Sequence, residues 1–211
     1  YQILRHAGEE EDRLYTAGTA TRARRSAQNA LYHMTQALVR LMAPVLSFTA
    51  HEVWETLNGG AVSVFEQTWY ACPLPRDAAA LRARWQKLRG LRADVQKLLE
   101  ELRVTGKIGS SLAGEVDLYA EGEHHAFLES FADDLRFVFI TSRATVNAGA
   151  NAAGLPSSLE RVGIKVSATA QPKCERCWHY RSDVGAAAAY PDICGRCVAN
   201  LHGAGEPRAY A

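Results

Sequence analysis

The chain has 211 residues, of which 47% are hydrophobic, so it is long enough for one large or two small folded domains. Its 24 basic and 23 acidic residues leave a formal net charge of +1, which excludes a broadly basic protein that binds nucleic acid by charge alone. No apolar run reaches the length of a membrane span, and we expect no secretory signal. The chain begins at Tyr1 rather than at a methionine, from which we expect a fragment of a longer protein.

The first part of the chain has the periodicity of helices. Apolar residues recur every three or four positions from Ala27 to Val45, which predicts an amphipathic helix that Pro44 should end. Thr49 and Glu52 fit the capping box of a second helix. The Asn-Gly-Gly sequence at 58–60 should terminate that helix.

A long third helix is predicted to follow, with Gly106 after its last turn. Its apolar residues lie at helical spacing: Leu81, Trp85, Leu88, Val95, Leu98 and Leu102. Residues 81–107 hold eight basic and three acidic side chains, a local net charge of +5. We predict that residues 1–106 form an antiparallel helical bundle.

Beyond the long helix the pattern changes. Residues 115–120 alternate with period two, and the apolar runs at 137–140 and 162–166 are interpreted as further strands. Residues 147–158 are rich in Ala, Gly, Asn and Ser and predict a flexible loop. We therefore expect a small α/β junction domain over 107–170 in a chain that is mainly α with a small α+β part.

Two Cys-x2-Cys pairs, which we call the two knuckles, lie near the end of the chain. They consist of Cys174 with Cys177 and of Cys194 with Cys197, and sixteen residues separate them. Each such turn can place two sulfurs about 2.3 Å from one Zn²⁺, and four thiolates leave no position for an activated water. The spacing predicts a structural zinc module over 171–211.

Two disulfides or a thioredoxin-like redox pair are the other interpretations of these cysteines. Disulfides fit poorly, because the rest of the chain is not dense in cysteine and has no secretory signal. A redox pair needs only one Cys-x2-Cys, at the start of a helix in a βαβ unit. Reduced thiols that hold zinc are typical of the cytosol, so we expect a cytoplasmic protein.

Side chains beside the first knuckle suit contact with RNA. Arg176 and Trp178 flank Cys177, and an exposed indole beside a guanidinium can stack on an unpaired base and bind a phosphate. The alternative is that Trp178 folds back over the sulfurs and seals the module. Further candidates for RNA contact lie near the knuckles or just before the first predicted helix: His179, Arg181, Arg196, Arg24 and Arg25.

The sequence presents no catalytic set of its own. It lacks a Walker-type phosphate loop and a Gly-x-Gly-x-x-Gly motif, and its seven histidines do not form a ligand cluster. We therefore predict no catalytic residues in this chain.

Several stretches resemble bacterial isoleucyl-tRNA synthetases. Residues 173–180 (Lys-Cys-Glu-Arg-Cys-Trp-His-Tyr) and 193–197 (Ile-Cys-Gly-Arg-Cys) are similar to the C-terminal zinc module of that family. Residues 24–28 (Arg-Arg-Ser-Ala-Gln) and 42–50 (Met-Ala-Pro-Val-Leu-Ser-Phe-Thr-Ala) are similar to its anticodon-binding helical domain. The resemblance covers nearly the whole chain.

The resemblance implies a C-terminal part of a class I tRNA ligase. The family activates isoleucine with ATP and transfers it to isoleucine tRNA. The His-x-Gly-His and Lys-Met-Ser-Lys-Ser motifs of its ATP site do not occur here, so ATP would belong to the missing catalytic half of the same polypeptide. What the resemblance implies for this chain is one structural zinc ion and recognition of the anticodon arm. We expect a monomer.

Two other functions remain open from the sequence. A zinc module with this spacing also resembles the C-terminal finger of formamidopyrimidine-type DNA glycosylases, although Tyr1-Gln2 does not supply the N-terminal Pro-Glu of that family. The third interpretation is a non-catalytic zinc module whose helices dock on another protein.

Overall fold

A computed structural model describes residues 22–149 and 155–206. The predictions that fall on residues 1–21, 150–154 and 207–211 lie outside these ranges. None of the helices in the described ranges combines the length and the hydropathy that crossing a bilayer requires.

The first two helices form a hairpin with a small core. Helix α1 spans Arg22–Met42 and helix α2 spans Ser47–Asn58. As predicted, α1 ends just before Pro44, and Gly59 ends α2 in the left-handed conformation at φ 75°. Both helices and the 3₁₀ turn after them contribute to the core: Val39, Ala43, Ala50, Trp54 and Val64.

Two details of this hairpin differ from the prediction. Helix α2 begins at Ser47, so Thr49 lies inside the helix and the capping-box prediction was wrong. The predicted apolar stripe of α1 lies mostly outside the core, with Met34 66% and Val45 81% exposed. Periodicity identifies residues that share a helix face, but it does not say which face meets α2, and here that face carries Val39.

Helix α3 (Ala78–Val104) packs on a sheet rather than on α1 and α2. Its buried residues belong to a second and larger core, in which they contact strand residues such as Val116 and Ile164. Gly114 permits close approach, because a Cβ there would lie 2.4 Å from Cδ2 of Leu99 in α3. The antiparallel helical bundle predicted for residues 1–106 is therefore not confirmed. The long helix shares its core with the α/β part.

The sheet is small and mixed. Its strands are β1 (Gly114–Ala120), β2 (Arg143–Ala148), β3 (Leu155–Pro156) and β4 (Gly163–Ala168). Their order is β2-β1-β4-β3, with β2 parallel to β1, and β4 antiparallel to both β1 and β3. The strands predicted at 115–120 and 162–166 are confirmed as β1 and β4.

The strand predicted at 137–140 was wrong. Leu135–Phe139 forms a short helix, α5, which follows helix α4 (Gly122–Glu129) in the crossover from β1 to β2. Four apolar residues in a row suit a buried strand and a buried helix equally, and here Leu135 and Phe139 are buried four positions apart. Ile140 ends α5 at φ 59°.

The predicted loop at 147–158 is partly strand. Residues 147 and 148 complete β2, and 155 and 156 form β3. The last described helix, α6 (Gly195–His202), begins at the second knuckle. The described chain is thus helical, with a small mixed sheet and a buried cluster of four cysteines.

Candidate metal centre and nucleic-acid surface

The two knuckles are built differently and converge on one point. Cys174 and Cys177 lie in a tight hairpin, in which Trp178 donates to the Cys174 carbonyl at 2.9 Å and Cys174 donates to the His179 carbonyl at 2.9 Å. Cys194 precedes the first turn of α6, which carries Cys197. The backbone N–H of Cys194 points at Sγ of Cys174, 3.3 Å away.

The four sulfurs have the separations of a tetrahedral metal site. All four lie within 4.8 Å of one another and all four cysteines are buried. The Cys174–Cys197 and Cys177–Cys194 sulfur pairs are 3.8 and 3.6 Å apart. A tetrahedron with metal–sulfur bonds of 2.3 Å has edges of about 3.8 Å, whereas a disulfide needs about 2.05 Å. The donor set therefore fits one Zn²⁺, and none of the four is disulfide-bonded.

The crowding of the sulfurs also perturbs their acidity. Hydrogen bonds from Cys194 and Cys197 lower the pKa of Cys177 to about 4. The pKa of Cys197 is raised, because its interactions with Cys177 and Cys194 favour its protonated form. A buried cluster that holds the Cys177 thiolate beside three further sulfurs is one that a divalent cation would stabilise.

Trp178 projects from the first knuckle toward solvent. It adopts the left-handed conformation at φ 60°, which is uncommon for a bulky residue, and its side chain is 47% exposed. Nζ of Lys173 lies 5.4 Å from the centre of the indole ring. The exposure favours an open stacking surface over a lid that seals the sulfurs, and the strained backbone is a feature that concentrates at functional sites.

The basic and aromatic candidates around the knuckles differ in burial and in their partners. Arg176 is half-buried, and its Nη1 has no hydrogen-bond partner in the described part of the chain. Arg181 instead pairs with both carboxylate oxygens of Asp183, at 2.8 and 2.9 Å, and this pair lowers the pKa of Asp183. His179 and Arg196 are only 2% and 6% exposed.

Arg24 and Arg25 occupy the first turn of α1, in the helical part rather than in the zinc module. Arg25 is exposed and Arg24 is half-buried. The long helix α3 adds exposed basic side chains on the face opposite its buried leucines, among them Arg82, Arg89 and Lys97.

The sequence did not point to the residues that join the zinc module to the rest of the chain. Ser142 Oγ accepts a hydrogen bond from the Tyr180 amide at 2.6 Å, and the Glu206 carboxylate lies 4.0 Å from the Arg136 guanidinium. Phe137 packs edge-on against His179, with ring centres 5.7 Å apart. These contacts join positions at least 38 residues apart along the chain, so no local pattern could reveal them.

Comparison with known families matches two separate stretches of the chain. Residues 9–118 match a family model described as the anticodon-binding domain of tRNA ligase, which is more than half of the chain. The chain belongs to this family. A second model, described as a zinc finger found in FPG and IleRS, matches residues 171–200 and includes all four cysteines. The anticodon-binding family therefore accounts for α1 to β1, and the zinc finger for both knuckles.

The similar curated relatives of this family member are isoleucine–tRNA ligases. The protein of Bordetella parapertussis is 51% identical over 210 residues, and that of Nitrosomonas europaea is 52% identical over 206 residues. Each alignment covers 95% of this chain and 21% of the relative. The chain thus spans about a fifth of the length of these ligases, and the family resemblance stated from its motifs is confirmed.

Proposed function

We propose that this chain is the tRNA-binding C-terminal part of an isoleucine–tRNA ligase and that it recognises the anticodon arm of isoleucine tRNA. The observation that carries the proposal is the match of residues 9–118 to an anticodon-binding domain, joined in one chain to the exposed Trp178. ATP-dependent attachment of isoleucine would belong to the remainder of the parent protein.

The four cysteines would hold one structural Zn²⁺. When bound, the metal would supply cross-linking of the two knuckles and no Lewis-acid chemistry, because four thiolates fill a tetrahedral shell. Cys174 and Cys177 would then fix the hairpin that carries Trp178, and Cys194 and Cys197 would fix the start of α6.

The surface beside the first knuckle would bind an unpaired base and its phosphate. The indole of Trp178 offers a flat apolar face for stacking, Lys173 carries positive charge beside it, and Arg176 lies two positions earlier in the same hairpin. Arg181, which is held by Asp183, would line the same surface. The buried His179 and Arg196 would act from within, by keeping the hairpin and α6 in place.

The helical part would bind the stem through its phosphates. Arg24 and Arg25 on α1, together with the exposed basic face of α3, are placed on helices that offer long rigid surfaces. Phosphate contacts of this kind position the RNA and carry no sequence information, so they would leave identity to the loop bases. They also predict binding that weakens as salt rises.

Binding measurements with three nucleic acids test the proposal. We expect the zinc-loaded chain to bind isoleucine tRNA more tightly than a non-cognate tRNA and than duplex DNA with an abasic site. A preference for the damaged duplex would favour the DNA glycosylase, since its finger shares the matched family model. Absence of binding to all three would favour a protein-interaction module.

A further inference from the structure

A buried hydroxyl joins the zinc module to the α/β part. Ser142 lies between α5 and β2 and is 3% exposed. Its Oγ donates to the Leu112 carbonyl at 2.6 Å and accepts from the Tyr180 amide at 2.6 Å. The Ser142 amide donates to the Gly114 carbonyl at 3.2 Å, so the residue is itself fixed against the start of β1.

The anchored residue belongs to the hairpin that carries the proposed RNA surface. Tyr180 is two positions from Trp178, and it pairs with Lys173 across the hairpin. Arg181 continues the hairpin by donating to the Pro172 carbonyl at 2.9 Å. The hydroxyl of Ser142 therefore holds the strand of the hairpin that leads directly to Trp178.

A second group of contacts joins the module to α5. The Phe137 ring on α5 contacts two guanidinium groups, with Arg136 4.8 Å and Arg196 5.2 Å from its ring centre. Glu206 accepts from Arg196 at 2.6 Å and lies 4.0 Å from Arg136. Since Arg136 belongs to α5 and Arg196 to α6, the carboxylate of Glu206 bridges the two parts.

The two contacts leave the module little freedom of orientation. One hydrogen bond alone would permit rotation, but a hydrogen bond and a ring contact at separate points define a direction. The metal cluster itself cannot do this, because all four of its ligands lie within the module. Zinc would hold the module together, whereas Ser142 and Phe137 fix how it is presented.

We propose that Ser142 is a positioning residue for RNA binding, which sets the direction in which the zinc module presents Trp178 to the tRNA. The inference rests on the proposed function. Removing the hydroxyl leaves the four cysteines and the contacts of Phe137 intact, but it removes the hydrogen bond that fixes the Tyr180 strand of the hairpin to the α/β part. The bases of a loop that contacts both parts would then meet Trp178 in the wrong place.

The test uses the zinc-loaded chain and a matched serine. Ser142→Ala removes the hydroxyl at the junction, and Ser157→Ala removes a hydroxyl that likewise bonds to backbone groups, the Leu159 and Val162 carbonyls, but lies in the β3–β4 turn. We expect Ser142→Ala to keep one zinc per chain and to weaken binding of isoleucine tRNA about tenfold. Ser157→Ala should bind as the parent chain does, and Ser142→Thr, which keeps a hydroxyl, should restore binding.

A double-mutant cycle separates positioning from general loss of stability. In a Trp178→Ala background, Ser142→Ala should cause no further loss of affinity, because the side chain it positions is gone. Amide exchange should accelerate at Tyr180 in Ser142→Ala and remain slow in β1. Loss of zinc in Ser142→Ala overturns the positioning role, because the hydroxyl would then be needed for the metal cluster itself.

The outcomes distinguish this inference from the proposed function. Equal affinities of Ser142→Ala and Ser157→Ala, with Trp178→Ala weakened, overturn the positioning role and leave the tRNA surface standing. Additive losses in the cycle also overturn it, since they indicate independent effects. Unchanged binding by Trp178→Ala overturns the RNA surface and the positioning role together.

Discussion

Replacing Cys174 with serine should unfold the zinc module while the rest of the chain stays folded. The aliphatic side chains packed on the sulfurs are Val184 and Ile193, and both are only partly buried. Burial of each side chain contributes at most about 1.5–3 kcal/mol to the free energy of unfolding. Structural zinc contributes about 10–16 kcal/mol of apparent binding free energy in small domains, several times more. The module therefore depends on its metal, whereas the core around α3 and β1 contains none of the four cysteines.

Metal analysis and hydrogen exchange measure this effect. We expect Cys174→Ser to lose zinc and to lose protection at the Trp178 amide, which bonds to the Cys174 carbonyl. Protection in β1 should persist. Cys72→Ser is the control, since Cys72 is exposed and lies outside the cluster, and it should keep one zinc per chain. A metal-free Cys174→Ser chain with a protected Trp178 amide would refute the reasoning.

Three further changes have definite expected outcomes. Trp178→Ala should weaken tRNA binding by about 1–3 kcal/mol with zinc retained, while Trp178→Phe should keep most of the affinity; equal loss in both would argue against stacking. Gly114→Ala should reduce the free energy of unfolding by about 1–3 kcal/mol and lower the melting temperature, because the new Cβ would meet the Leu99 side chain and a backbone oxygen. Gly109→Ala should be neutral, because a Cβ there would enter open space. Arg181 lowers the pKa of Asp183, so the stability that this pair contributes is full above the ordinary carboxyl pKa of about 4 and is lost as pH falls through the lowered value. Asp183→Asn should therefore destabilise the chain at pH 7 and not in strong acid. An equal effect at both pH values would contradict this.

The metal centre could be predicted from the sequence because its determinants are local. Each knuckle is a four-residue turn, and the chemistry of zinc fixes the sulfur spacing that such turns supply. Strands β1 and β4 could be predicted equally well, since alternation and β-branched residues mark them directly. The ends of α1 and α2 could be predicted from Pro44 and Gly59, because these residues terminate helices locally.

The sequence could not show which elements of the chain pack against each other. The residues 137–140 suit a strand or a buried helix, and only packing against α3 and the sheet decides for α5. Helix α3 could have packed on α1 or on a sheet with the same leucines. Arg196 and Trp178 both neighbour a cysteine, yet one is buried on Phe137 and the other is exposed. These choices depend on tertiary contacts between distant residues.

Chemical footprinting of isoleucine tRNA bound to the zinc-loaded chain shows whether Trp178 contacts the anticodon loop. The account predicts protection of the anticodon loop bases, with stem phosphates protected beside them, and loss of the loop protection alone in Trp178→Ala. Protection confined to the acceptor arm, or a loop footprint that Trp178→Ala leaves intact, would contradict it.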